Sequence, residues 1–239
     1  MPSIRMIVKE ILKAEIKSMV IVHGGGSYGH PVAKEFRIAA GYNYPNQLIG
    51  FSKTRQAMMA LNKLIIDAFI QENLSAVSVQ PSAFLITNKG RIGEFDSTVV
   101  KKLLGLGIIP ILFGDAVLDS NLGFSILSGD QLVSALALAL NAKRIIVCVD
   151  VDGLYNDDPK LNPQAELIKE ITLNDLKGIM GNIGASKTVD VTGGMYGKMV
   201  ELIPALEKGV RVKIINTRIN RLYKTLKNKD VIGTEIRME

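Results

Sequence analysis

The chain has 239 residues, 47% of them hydrophobic and 22% charged, which is enough apolar material for one large domain or a two-lobed one and too much for a disordered or fibrous protein. Its longest apolar stretch, LVSALALALNA from Leu132, falls well short of the roughly 20 residues that cross a bilayer. The net charge of +6 is spread along the chain with one dense cluster, RINRLYKTLKNK; no zinc-finger spacing or RNA-binding aromatic signature accompanies it, so it suits a small anionic substrate better than nucleic acid.

The start, MPSIRMIVKEILKAEIKSM, carries charges among its apolar positions, unlike the core of a signal peptide. MVIVH then predicts a strand, and Gly24-Gly25-Gly26 behind it a turn where no side chain fits. Bare amides at such a turn, with a helix starting after Pro31, a favoured first-turn residue, make a site for an anion. SKTRQAMMALNKLIIDAFIQENL predicts a long amphipathic helix, AVSVQ a strand, and STVVKKLLGLG a helix ending on glycine. IIPILFGDAVLD reads as strand and loop, SGDQLVSALALALNA as a helix capped by Ser128, and RIIVCVDVDG as a buried strand. Cys148 in that strand cannot form an internal disulfide and reads as a small buried hydrophobe in a reducing cytoplasm. GKMVELIPALEKG predicts a helix despite Pro204, VRVKIIN a strand, and VIGTEIR a closing edge strand.

This alternation predicts an α/β fold with a mainly parallel central sheet sandwiched by helices. AFLITNKGRIGEFD and AVLDSNLGFSIL add hairpins outside it, around the turn signals NKG and SNLG. The expected lobes are 1–135 and 136–239, sharing one continuous sheet, with a soft boundary between Gly129 and Asn141. In such sheets ligands bind at the carboxyl ends of strands. The glycine run, Phe113 to Asp115, and Val149 to Gly153 all fall there, and Gly193-Gly194 opens a further helix with Lys198 close behind. Two glycine-rich helix openings imply two phosphate sites, and so phosphoryl transfer, which asks mostly for positioning and charge neutralisation. The chain contains neither G-x-x-x-x-G-K-[ST] nor a strand-linked G-x-G-x-x-G with its following acid.

VHGGGSYGHPVAKEF, GFSKTRQAM, VSVQPSAF, GDAVLD, ILSGDQL, VDVDGLY and DVTGGMYGK, in this order, resemble the isopentenyl phosphate kinases of the amino acid kinase superfamily over nearly the whole chain. Glycine triplets recur across that superfamily; His30 and DVTGGM are the more specific marks, shared with the fosfomycin kinases. The resemblance implies transfer of the γ-phosphoryl group of ATP to isopentenyl phosphate in isoprenoid biosynthesis, by a homodimer; the residues themselves read as those of a cytoplasmic protein that binds neither nucleic acid nor membrane.

It also implies residue roles. Gly24, Gly25, Gly26 and Gly29 would cradle the acceptor phosphate with Gly129, and His30 would hydrogen-bond it. A phosphate monoester is already mostly ionised at neutral pH, so charge neutralisation is needed and a general base is not. Phe51, Thr54 and Met58, at helical spacing, would face Ala116 and Ile126 around the isoprenoid tail. Lys198 would contact the transferring phosphoryl group and Asp150 would orient it. Asp152, Gly153, Gly193 and Gly194 would bind ATP. Mg²⁺ would arrive with ATP and keep several waters; no protein carboxylate is assigned to it, since Asp130 reads equally as a helix cap and Gln131 stands where the family often has a second acid. His23 reads as a strand-end residue.

The family pattern opens with a strand ending in Lys-x-Gly-Gly-Ser, and this sequence opens instead on what looks like the following helix. The expectation is a natural protein that starts upstream. The alternatives are a catalytically impaired, ligand-binding variant, or another kinase of the superfamily acting on fosfomycin or uridylate.

Overall fold

The computed structural model describes residues 4–182 and 193–239. The chain opens with α1 (Ile4–Ala14), whose Val8, Ile11 and Ala14 are buried at a spacing of three, on one face of the helix. It then builds two compact units, Lys17–Ala135 and Leu136–Glu239, the second including the residues up to Ile16. The helix α1 thus packs with the second unit, whereas chain order grouped it with the first.

The first unit contains β1 (Ile21–His23), α2 (Gly26–Glu35), α3 (Asn46–Gln71), β2 (Ala76–Ser78), β3 (Thr87–Asn88), β4 (Arg91–Ile92), α4 (Thr98–Gly105), β5 (Ile109–Phe113), β6 (Asp115–Asp119), β7 (Gly123–Leu127) and the start of α5 (Gly129–Ala139). Parallel strands β1, β5 and β2 form a sheet with β5 in the middle. A middle strand is covered on both faces, which is why Pro110 to Phe113 are buried and the run is apolar without alternation. Helix α2 starts at Gly26, upstream of the predicted start, and takes Pro31 inside it. The carbonyl of Gly25 accepts from the N–H groups of Tyr28 and Gly29 at 3.0 and 2.9 Å, closing the first turn before the proline is reached. Helix α3 likewise starts at Asn46, ahead of the predicted Ser52. Its buried Gln47 accepts from the Asn43 and Tyr44 amides and donates to the Phe36 and Arg37 carbonyls, tying the α2–α3 connection together.

Both hairpins form. Lys89 and Gly90 have φ of +49° and +74°, the paired positive values of a two-residue turn that matches strand twist. The Asp119 carboxylate clamps this turn, accepting from the amides of Lys89, Gly90, Asn121 and Leu122 and from the Thr87 hydroxyl, at distances from 2.7 to 3.1 Å. These donors hold its pKa well below the usual carboxylate range, against the opposing effect of desolvation. Gln131 holds the same turn from α5, accepting from Ile92 N–H at 2.6 Å and donating to the Gly90 carbonyl at 3.3 Å.

The second unit continues with β8 (Arg144–Val149), β9 (Leu154–Tyr155), β10 (Leu167–Ile168), β11 (Glu170–Thr172), α6 (Leu173–Asn182), α7 (Gly193–Leu206), β12 (Arg211–Asn216), α8 (Arg221–Leu226) and β13 (Thr234–Arg237). Its sheet runs β11-β13-β12-β8. Two expectations change here. The last strand, β13, is interior, with Thr234 and Ile236 at 0% exposure, because β11, unmarked in the sequence, covers its other side. And β8, which reads as buried, stands at the end of its sheet with Cys148 exposed. Although part of Cys148 is exposed, desolvation of its thiol, with the nearby Glu10 charge, pushes its pKa up to about 11, so it stays protonated at neutral pH. Among the described residues the strands hydrogen-bond into four separate sheets, where one continuous sheet was expected. Alternation in sequence dictates parallel strands with helical crossovers, and leaves open which strands are neighbours. No described helix is long and apolar enough to cross a membrane.

Candidate active site

In the first unit three chain segments meet at the carboxyl end of β1. The Gly114 N–H, between β5 and β6, donates to the His23 carbonyl at 3.0 Å. A Cβ added to Gly114 would stand 3.0 Å from the Gly129 nitrogen, and one added to Gly129 would stand 3.4 Å from the His23 oxygen. The first turn of α5 therefore opens directly beside the end of β1, with Ser128 capping it through its hydroxyl to the Asp130 amide at 3.2 Å. Two residues beyond β1, α2 opens at Gly25-Gly26 with no side chain capping it. Amides at such an end lack intrahelical partners and sit at the positive pole of the helix dipole.

The glycines of this turn are there for different reasons. A Cβ on Gly29 would lie 2.4 Å from the Met58 sulfur, and one on Gly25 3.2 Å from it. Gly26 has φ +47°, which L side chains rarely adopt. Gly24 has open space and no positive φ, so the expectation that no side chain fits fails at that position. Met58, 2% exposed, supports the turn from below. His30 is the fifth residue of α2 and is exposed, with its amide 3.5 Å from a Cβ placed on Gly25.

The other predicted acceptor residues divide. Phe51 packs with Ala116 and Ile126 in one apolar cluster with Ile38 and Phe124, its ring centroid 5.3 Å from that of Phe124. Thr54 is buried with its hydroxyl donated to the Gly50 carbonyl one turn earlier at 2.9 Å. Sequence reasoning did not single out Asn62, which reaches the His23 ring, or Asp119; nothing in a lone Asn on a helix or Asp at a strand end marks either one.

In the second unit Asp150 follows β8. Its carboxylate pairs with Lys160 Nζ at 2.7 Å, which lowers its pKa, and its carbonyl accepts from Asn216 Nδ2 at 3.1 Å. Asp152 pairs with Arg221 at 2.7 Å, both side chains mostly buried. Neither cation was foreseen. Lys160 follows Asp157-Asp158-Pro159, a turn signal, but a turn does not announce that its lysine folds back to a strand end ten residues earlier. A Cβ on Gly153 would stand 2.4 Å from Thr234 Oγ1, so this glycine serves close packing against β13. Gly193 and Gly194 open α7 and Lys198 lies in its second turn, half-buried. Asp190 to Thr192 of the DVTGGM segment lie outside the described residues. Among the described residues no group of three His, Cys, Asp or Glu side chains could hold a metal ion.

A sheet with helical crossovers whose glycine-rich helix openings lie at strand ends is the arrangement of a phosphate-binding α/β protein. The profile of the amino acid kinase family matches residues 1–216, and the chain belongs to this family. It is similar to the isopentenyl phosphate kinase of Methanothermobacter thermautotrophicus, 40% identical over 98% of this chain and 90% of that protein. It is also similar to that of Methanocaldococcus jannaschii, at 37% over 93% and 81%. A crystal structure of an isopentenyl phosphate kinase superimposes with a TM-score of 0.86 at 38% identity, covering 98% of this chain and 89% of the other.

Proposed function

We propose that this chain is a phosphotransferase that moves the γ-phosphoryl group of ATP onto isopentenyl phosphate, giving isopentenyl diphosphate and ADP. The observation that carries this reading is the meeting of two glycine helix openings, Gly25-Gly26 and Gly129, at the end of β1, together with identity to isopentenyl phosphate kinases along almost the whole chain. Amides of Gly24, Gly25, Gly26 and the first turn of α5 bind the acceptor phosphate, and His30, exposed on α2, donates to it. Gly29 keeps Met58 seated beneath the turn. Phe51, with Ala116 and Ile126, offers the apolar contact that the isoprenoid tail needs; Thr54, whose hydroxyl is taken by its own helix, contributes its methyl face.

The second unit binds ATP. Gly193 and Gly194 open a helix toward its phosphates, and Lys198 neutralises charge on the transferring group. Asp150 and Asp152 line the strand end with their cations Lys160 and Arg221. Mg²⁺, brought by ATP, supplies further charge neutralisation on the phosphates. The acceptor oxygen is ionised at neutral pH, so these residues position and neutralise, and no side chain must remove a proton. The reading includes a homodimer in the cytoplasm, serving isoprenoid biosynthesis.

A coupled ADP-release assay with isopentenyl phosphate, UMP and fosfomycin side by side tests it. Turnover is expected with the first; preference for UMP or fosfomycin overturns the assignment. Replacement of His30 by Ala should lower turnover by about 10²-fold, the usual cost of removing one donor to a reacting anion.

A further inference from the structure

His23 has no role in the reaction described above, yet both of its ring nitrogens and one ring face are engaged. Nδ1 lies 3.0 Å from the Gly24 carbonyl oxygen, and Nε2 lies 3.1 Å from the side-chain nitrogen of Asn62 on α3. The ring stacks on Phe113, the last residue of β5, with centroids 5.3 Å apart. A carbonyl oxygen only accepts, so the ring proton stands on Nδ1. Nε2 is then a bare acceptor, and the Asn62 amide donates to it. Asn62 is 2% exposed, which keeps water from competing for that contact. Burial also lowers the imidazole pKa, in keeping with a neutral ring that has one donor and one acceptor.

The consequence lies in the next peptide. The Gly24–Gly25 bond is trans, so its C=O and its N–H point in opposite directions. Holding the Gly24 oxygen against the imidazole turns the Gly25 N–H the other way. That N–H belongs to the cap residue of α2, where no side chain competes for the free amides.

We propose that His23 is a positioning residue: by holding the Gly24 carbonyl it aims the Gly25 amide at the acceptor phosphate, and Asn62 keeps it in the tautomer that can do so. This rests on the assignment of the glycine turn to that phosphate.

Three substitutions separate the two ring nitrogens. An Asn at position 23 puts its amide nitrogen where Nδ1 stands, a Gln puts one where Nε2 stands, and a Phe keeps only the stacking. H23N is expected to keep KM for isopentenyl phosphate within about threefold of the parent. H23Q and H23F should raise it about tenfold or more, the worth of one hydrogen bond to a charged group, with KM for ATP unchanged. H23N as impaired as H23F, or H23F like the parent, overturns the proposal.

A second readout does not depend on turnover. The chain has two histidines, so long-range ¹H–¹⁵N correlation at neutral pH resolves each ring, with H30A assigning them. The Nδ1–H form is expected for His23, and Asn62→Leu should shift it toward a mixture. An Nε2–H ring in the parent overturns the proposal even if the H23 variants do not fold. If the parent shows the Nδ1–H ring but leaves isopentenyl phosphate unphosphorylated, the proposed reaction is what fails. Titration with inorganic phosphate, expected to shift the Gly25 amide resonance in the parent and less in H23F, then decides the positioning role, and an equal shift in both overturns it.

Discussion

The glycine turn after β1 and the aspartate loop after β8 occupy equivalent places, each at the carboxyl end of a parallel strand, but they are held in opposite ways. The first is shaped by close packing, Met58 beneath Gly25 and Gly29 and Gly114 against Gly129, and α5, which opens beside it, holds through Gln131 the hairpin that Asp119 clamps. The second is held largely by charge. The Asp150–Lys160 pair is more than half exposed on both sides, and Asp152–Arg221 is the better shielded one. Packed contacts tolerate little change in volume. Exposed ion pairs are screened, individually weak, and open to exchange for another anion or cation. Under the proposed function, a turn that presents backbone amides to the acceptor phosphate gains from rigidity, while a loop that meets ATP can exchange partners as the ligand arrives.

Breaking the buried side should cost most. Gly29→Ala places a methyl group 2.4 Å from the Met58 sulfur; an angstrom of displacement at a positioned phosphate commonly costs about 10²-fold, and that loss is expected in kcat/KM for the acceptor. Adding Met58→Ala should restore much of it, and no recovery would mean that Met58 does not shape the turn. Asp119→Ala takes the side-chain acceptor from four amides, and denaturant melts should show a loss of about 3 kcal/mol.

The same carboxylate gives a sign for pH. Its pKa in the folded protein lies below that of the unfolded chain, so its contribution is fully present above the ordinary carboxylate range and fades as pH falls through that range toward the folded value. Asp119→Asn should flatten this part of the acid limb of a stability–pH curve; an unchanged limb would show that the clamp is not what titrates.

Gln131→Glu sharpens the comparison on a smaller scale. A carboxylate still accepts from the Ile92 amide but cannot donate to the Gly90 carbonyl, and a loss of about 1–2 kcal/mol is expected at neutral pH, read by the same melts. On the exposed side, Lys160→Ala should change stability by less than about 1 kcal/mol, and a larger loss would erase the contrast drawn between the two loops.

Much of this was legible in one dimension. Helices and strands follow from periodicity and punctuation, both hairpins from their turn residues, and the Ser128 cap from its place before an apolar run. What failed did so for physical reasons. Helix α2 begins ahead of Pro31 because the Gly25 carbonyl closes a turn first. The last strand reads as an edge because β11, three residues long, is too short to signal itself. Cys148 reads as buried because an apolar run looks the same whether or not a neighbour flanks it.

The sequence alone determined the order of the longer helices and strands, the family resemblance and where glycine turns open helices, since these depend on neighbouring residues and on which backbone angles each residue permits. Only the tertiary structure decided who meets whom. Met58 beneath Gly29, Asn62 on the His23 ring, Gln131 on the Gly90 carbonyl and Lys160 on Asp150 are contacts between residues brought together by packing, and a contact that depends on the path of the chain through space has no signature in the local order of its residues.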